Sequence, residues 1–319
     1  GLFIGNSTGH LTNVTFSGNV ADRRGGGLLI EFSSVVLTNV TFYNNTSSNN
    51  RANPRGGGGM MVIASSPTLN NVTFNGNTSN ANGVDGDAMR ITEDPDLLLD
   101  SNPVIRNAVF WGNNNNSAQI TGDGTGTVTI SDSLIQGGCP VFSGVTCTTA
   151  ILLGALANNG GFTQTMALGT GSLAINAGNN STCALTDQRG VSRPQGIACD
   201  MGAYEALLPP TAFNKGSPAD GLTGVSANPI LNWLPSSGMD TYEYCYDTTD
   251  DDTCSSWTNN GSARTVMLNG LTPNTTYYWQ ARAVNSTGIT YANGSETSYW
   301  SFTTANLPGA FGKAVLANG

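Results

Sequence analysis

Leu11-Thr-Asn-Val-Thr-Phe16 returns as Leu37-Thr-Asn-Val-Thr-Phe42 and again as Leu69-Asn-Asn-Val-Thr-Phe74. Ile105-Arg-Asn-Ala-Val-Phe110 is a fourth copy, and Ile130-Ser-Asp-Ser-Leu-Ile135 is a degenerate fifth. The copies start 26, 32, 36 and 25 residues apart. In the first four, an Asn follows the Phe by three positions: Asn19, Asn45, Asn77 and Asn113. A second element precedes the first three copies at fixed distance: Gly1-Leu-Phe-Ile4, Gly27-Leu-Leu-Ile30 and Gly59-Met-Met-Val62. Glycine runs lead into the last two.

A repeat of about 25 residues with two or three short strands is one coil of a β-solenoid. Equivalent positions then stack about 4.8 Å apart along the axis. Leu, Val and Phe form ladders inside, and Thr between them faces outward. Asn forms a ladder at a turn, its amides bonding between coils. A leucine-rich repeat has a similar period, but its helix-forming half is missing here. The longer spacings come from insertions at Asn44 to Arg55, Asn77 to Asp87 and Glu93 to Asn102. These become lateral loops, and the first two emerge on one side as a candidate contact face or as plain exposed loops.

The rest of the composition agrees with short strands. Charged residues make up only 10% of the 319, against roughly 25% in an ordinary soluble domain. Glycine numbers 41, and no stretch keeps a helical period. The net charge is −9, with Lys215 and Lys313 the two lysines, so no basic patch invites nucleic acid. No apolar run reaches the ~18 residues of a membrane span. The chain starts at Gly1, inside a coil, which suits a removed leader or a start within a longer protein. Six cysteines form three local pairs, Cys139 with Cys147, Cys183 with Cys199 and Cys245 with Cys254. With one histidine and no CxxC, disulfides in an oxidising compartment are the better reading than zinc.

The pairing of Gly-Gly-Gly-hydrophobic with Phe-x-x-Asn resembles the repeat of polymorphic outer-membrane proteins, over roughly residues 1–135. From Ile151 the sequence changes character. Thr186-Asp-Gln-Arg-Gly190 and Asp200-Met-Gly-Ala-Tyr-Glu205 resemble the C-terminal segment of bacterial choice-of-anchor Q β-helix surface proteins. The resemblance implies a right-handed parallel β-helix over 1–206, displayed on a cell surface, with no catalytic activity established for the class. Asp187, Arg189, Arg193, Asp200 and Glu205 concentrate charge in this segment. They are expected to form an ion-paired cap over the open end of the solenoid, stapled by Cys183–Cys199, since open strand edges need cover; a ligand site is the rival reading.

After a proline linker at Leu207 to Pro210, Leu271-Thr-Pro-Asn-Thr-Thr-Tyr277 resembles the tyrosine-corner strand of fibronectin type III domains. That resemblance covers about 210–304 and implies a β-sandwich after the β-helix, so the fold class is all-β. Tyr277, Trp279 and Ala281 point inward on this reading, with Gln280 and Arg282 outward. Trp233 and Trp300 read as core, and Trp257, beside a turn, as the Trp to test for glycan contact. Asp250, Asp251 and Asp252 are weak calcium candidates, more simply a solvated acidic turn. Asn285 and Asn293 head sequons outside the repeat and are glycosylation candidates. Pro308 to Gly319 repeats the pattern of Pro210 to Gly221, so 305–319 reads as a linker and the first strand of a further module. Gly1, Leu2, Phe3 and Ile4 at one end, and Phe311 and Val315 at the other, are therefore expected assembly residues.

Parallel β-helices also include polysaccharide lyases and hydrolases. Here Asp85, Asp87, Arg90, Glu93, Asp94 and Asp96 are the nearest candidates, without a lysine or a matching carboxylate from a second repeat. The expectation is a secreted, non-catalytic structural or adhesive surface protein without a cofactor, partnered by copies of itself, neighbouring domains or glycans. A glycan-binding adhesin and a glycan-cleaving enzyme are the alternatives.

Overall fold

The computed structural model describes residues 1–48, 56–80, 86–94, 96–113, 119–123, 125–137, 145–148 and 151–306. The chain divides into two compact units, Gly1–Ala206 and Leu207–Gly319.

In the first unit every repeat copy lies on its counterpart. Leu11 pairs with Leu37, Val14 with Val40 and Phe16 with Phe42, and the next coil adds Leu69, Val72 and Phe74 in the same register. These residues form one parallel sheet from β2 (Thr8–Ser17), β5 (Ser34–Tyr43) and β8 (Thr68–Asn75). It continues through β11 (Val104–Arg106) and β12 (Val109–Trp111), then β14 (Thr129–Ser131), β15 (Ser133–Gln136) and β16 (Val145–Thr148), after which β17 (Leu153–Ala157) and β18 (Thr165–Leu168) form an antiparallel pair. A second parallel sheet stacks β1 (Leu2–Gly5), β4 (Leu28–Glu31), β7 (Met60–Ile63), β10 (Met89–Thr92) and β13 (Ile120–Gly122). A narrow third sheet is built from β3 (Val20–Ala21), β6 (Thr46–Ser47) and β9 (Thr78–Ser79). Three successive turns thus carry all three sheets among the described residues.

The spacing of the apolar residues explains the shape of the long strands. Leu11 and Val14 are three apart, so in a straight strand they would face opposite ways. Asn13, Asn39, Asn71 and Asn107 sit at φ of 59°, 56°, 53° and 50° between them. This left-handed step, which Asn tolerates better than most residues, bends the strand and returns Val to the interior. Leu, Val and Phe then fill the core with the Leu28, Ile30, Met60, Val62, Met89 and Ile91 ladder opposite. Phe16, Phe42, Phe74 and Phe110 stack with centroids 5.0, 4.4 and 4.8 Å apart.

The Asn that follows each Phe builds the ladder that the sequence suggests. Asn19 donates its backbone N–H and its amide to Asn45 Oδ1; Asn45 does the same to Asn77, and Asn77 to Asn113. Each inner amide also donates to a Phe carbonyl: Asn45 to Phe16, Asn77 to Phe42 and Asn113 to Phe74. A parallel ladder of Ser7, Ser33, Ser65 and Ser101 lines the opposite corner: the backbone N–H of Ser7 donates to Ser33 Oγ, that of Ser33 to Ser65 Oγ and that of Ser65 to Ser101 Oγ. Buried polar groups are affordable here because each is bonded.

The second unit has two sheets. One contains β19 (Lys215–Ser217), β21 (Ile230–Trp233) and β24 (Thr265–Met267). The other orders β20 (Leu222–Val225), β27 (Trp300–Thr304), β25 (Thr276–Asn285), β22 (Thr241–Asp247) and β23 (Thr258–Asn259), with β26 (Gly288–Tyr291) also on β25. Leu231 and Trp233 from one sheet meet Tyr242, Tyr277, Trp279, Ala281 and Phe302 from the other in a single core. The Tyr277 hydroxyl accepts the Thr272 backbone N–H at 3.0 Å, five residues upstream.

Candidate functional site

The densest polar chemistry of the first unit lies in residues 151–206, and its position corrects the sequence-based expectation. An end cap was expected over the last coil. Instead the segment runs along the flank of the solenoid and touches coil after coil. In the first coil Thr15 Oγ1 donates to Gln164 O at 2.6 Å and accepts from Gln188 Nε2 at 2.7 Å. In the second, Thr41 Oγ1 donates to Gln188 Oε1 and Asn39 Nδ2 donates to Thr186 O. In the third, Thr73 Oγ1 accepts from Ala203 N, and Asn71 Oδ1 accepts from Ala184 N. In the fourth, Asn107 Oδ1 accepts from Asn179 N.

The reason lies in the outward position of the repeat. Thr15, Thr41, Thr73, Val109 and Leu134 share one register column. The last two are apolar and cannot be left in water cheaply. Ile151, Ala174 and Met201 of the flanking segment cover them. Thr41 and Thr73 face away from the solenoid core, as the alternation demands, yet are buried beneath this layer.

The two sequence motifs supply the fastenings. Asp187 Oδ1 accepts the backbone N–H of Arg189 and of Val191, closing the turn at Gly190. Arg189 pairs with Asp187 at 2.7 Å and lies over the Tyr204 ring, 3.6 Å from its centroid. Gln188 points the other way, onto Thr15 and Thr41. At Gly202 a side chain would meet Thr73 Oγ1 at 2.7 Å, so a glycine is required at φ 90°. Arg193 and Glu205 form a buried pair at 2.7 Å, their side chains 0% and 1% exposed. Arg193 also donates to the carbonyls of Asp200 and Gly202. Asp200 accepts the backbone N–H of Asn176 at 2.7 Å and of Ala206 at 2.6 Å. The Cys183–Cys199 disulfide joins two stretches of this layer.

Burial sets the electrostatics. It pushes the Asp200 carboxyl up to about 6, and the neighbouring Glu205 charge adds to the rise. Burial raises Glu205 as well, while the N–H groups of Asp200 and Gln195 and the Arg193 guanidinium pull it back. Arg193 is lowered from its ordinary value by burial, against the opposing pull of Glu205, Asp187 and Asp200. The three carboxylates of Asp187, Asp200 and Glu205 and the two guanidiniums of Arg189 and Arg193 therefore serve one another and the local backbone.

The other sequence-derived candidates are spread out. Asp87 is buried, and its Oδ1 accepts the Ser79 N–H. Arg90 pairs with Asp123 at 2.8 Å. Asp94 Oδ1 accepts from Asp96 N and Leu97 N in an exposed turn, and Asp85 lies outside the described residues. Asp250, Asp251 and Asp252 sit on an exposed turn, with Asp251 Oδ1 taking up Thr253. Among the described residues no group of three His, Cys, Asp or Glu could hold a metal ion. The Cys245–Cys254 bond is formed, and Cys139–Cys147 falls outside the described side chains. Asn285 spends its amide on Leu208 O and Gly238 O, both at 2.7 Å, while Asn293 accepts the Lys215 N–H. Gly1 to Ile4 lead into and form β1, where Leu2 and Phe3 are exposed and Ile4 packs on the core; Phe311 and Val315 lie outside the described residues.

One cleft of about 490 Å³ opens at the corner between the two main sheets, lined by Ser7, Phe32, Ser34, Ser66 and Leu99 among others, all uncharged. Sequence reasoning did not find it, because its lining combines the corner turns of three coils, where only the serine of the ladder recurs in each, with Leu99 from the fourth.

Parallel coils, ladders of like residues and a stapled flank define a β-solenoid scaffold. The family described as "Right handed beta helix region" matches residues 1–162, and the chain belongs to it. No curated protein matches the chain. Among solved structures, one from a computer-based redesign of a β-sandwich protein matches at 21% identity, covering 32% of this chain and 100% of that one, with a TM-score of 0.23. The two disulfides are consistent with an extracellular location, and no helix among the described residues is long and apolar enough to cross a membrane.

Proposed function

We propose that the chain is part of a secreted bacterial surface protein of the choice-of-anchor Q kind, a non-catalytic structural and adhesive scaffold. The observation that carries this reading is the flank. The charges that the sequence concentrates there are buried, bonded to each other and committed to seating one layer on another. The second unit is read as a fibronectin type III-like sandwich, a common spacer fold. Its two sheets around one core and the Tyr277–Thr272 bond support that assignment.

Assembly into a filament or sheath is the specific form proposed. Each coil offers its neighbour the same strand edge and the same ladder of Leu, Val and Phe, so a coil of one copy is a template for a coil of another. Electron microscopy of the protein at high concentration tests this. Ordered filaments are expected; monomers alone would defeat the polymer version. Catalysis on a glycan is the competing reading, tested by lyase and hydrolase assays with Asp85→Asn, Asp87→Asn and Glu93→Gln. Activity that these substitutions abolish would replace the scaffold reading. An adhesin reading is favoured by a separate arrangement on the second unit.

A further inference from the structure

Four neighbouring strands of the second unit place Asn259, Glu243, Arg282 and Tyr291 in one register row. Tyr242 and Tyr244 turn into the core, so Glu243 between them lies on the outer face; Arg282 is flanked in the same way by the buried Ala281 and Ala283. Glu243 Oε2 accepts Arg282 Nε at 2.7 Å and Nη2 at 2.6 Å, which fixes the guanidinium in place. Trp257 lies on top of it, 4.1 Å from the ring centroid to the guanidinium carbon. Tyr291 stands 6.0 Å from Trp257, tilted by 58°, with its hydroxyl bonded to Arg282 and Glu296. The Cys245–Cys254 bridge, starting two positions along β22 from Glu243, anchors the segment that carries Trp257.

An indole on a loop is usually buried or free to move. This one is half-buried and rests on the Arg282 guanidinium, so the exposed part of the ring forms a fixed apolar platform. Polar groups with set orientations border it. That combination suits a pyranose, whose C–H face packs on an aromatic ring while its hydroxyls bond to fixed donors and acceptors. Preorganisation spares the ordering cost of binding. A cationic ligand is disfavoured, because Arg282 already holds a face of the indole. An acidic sugar is disfavoured too, because Glu243 and Glu296 border the site in a chain of net charge −9.

The geometry points to a sugar-binding platform at Trp257 that takes one ring of an uncharged glycan, with Tyr291 as its side wall and Glu243 and Arg282 as hydroxyl partners. It deepens the adhesive reading and rests on it. The test uses the full chain on immobilised cellohexaose, chitohexaose, mannohexaose and polygalacturonate, followed by calorimetry. Binding to at least one neutral oligomer is expected, with none to polygalacturonate. Trp257→Ala should weaken it by at least about tenfold, and Trp257→Phe by much less, at unchanged unfolding temperature. Should Trp257→Ala fail to fold, Tyr291→Ala carries the same comparison. If the protein binds a neutral oligomer equally well without Trp257, the platform falls while adhesion to glycans stands. If it binds none of the neutral oligomers, or prefers polygalacturonate, the platform is overturned, and with no glycan bound at all the adhesive reading falls with it.

Discussion

Asparagine does two unlike jobs in this chain. At Asn13, Asn39, Asn71 and Asn107 it supplies a backbone conformation that most residues resist. At Asn45 and Asn77 it supplies an amide that bonds upward, downward and inward at once. Asn77→Ala should therefore be costly, since it strands the N–H and amide of Asn45 and the carbonyl of Phe42. A loss of about 3 kcal/mol is expected from urea unfolding, against less than about 1 for an exposed Asn such as Asn102. Two ionisable residues give opposite pH slopes. The fold raises the Asp200 carboxyl to about 6, so the native state keeps a proton that the unfolded chain loses. Its contribution is full below the ordinary Asp value and is lost as pH rises through about 6. The first unit should lose up to about 3 kcal/mol between pH 4 and 6, and Asp200→Asn should flatten that slope. Lys215 behaves in reverse. Burial lowers its ammonium to about 7, although it donates to Ser298 O and sits near the rings of Trp279 and Trp300. Its contribution is full above the ordinary Lys value and is lost as pH falls through about 7. The unfolding temperature of the second unit should rise from pH 7 to 10, and Lys215→Met should abolish the rise.

The strands were legible in the sequence because a ladder asks for the same kind of residue at the same place in each coil. Leu11, Leu37, Leu69 and Ile105 announce one another. The flanking segment was not legible in that way. Its charged motifs stood out, but the surface that receives them changes from Thr15, Thr41 and Thr73 to Val109 and Leu134. Gln188 meets Thr41 and Thr15 across 147 and 173 residues, with no periodicity to reveal the pairing. Nor could spacing alone tell an end from a side, since both need polar residues and a staple. The segment is nonetheless an element with its own testable weight. Replacing Cys183 and Cys199 by Ser opens a loop of sequence separation 16, which the chain-entropy estimate values at about 3 kcal/mol. Hydrogen exchange should speed up at Ala184 and Ala203, which bond to Asn71 and Thr73, before it does in the strands.

At the scale of the whole molecule, covalent and ionic reinforcement are distributed over both units. Each described unit holds a disulfide, and no group of three candidate metal ligands occurs among the described residues. Dithiothreitol should lower the unfolding temperature of each unit, whereas a chelator should leave both unchanged; a drop with chelator would restore the Asp250–Asp252 calcium site. The flank also has a mechanical consequence. A bare solenoid pulled along its axis can peel one coil at a time, with few bonds under tension at any moment. Here a single segment is tied to Thr15, Asn39, Asn71 and Asn107 in four successive coils. Tension between those coils must shear its attachments together, as a tie-rod shares load along a stack. In a pulling experiment the first unit should yield in one large step, and cutting the Cys183–Cys199 bond should break that step into several smaller ones.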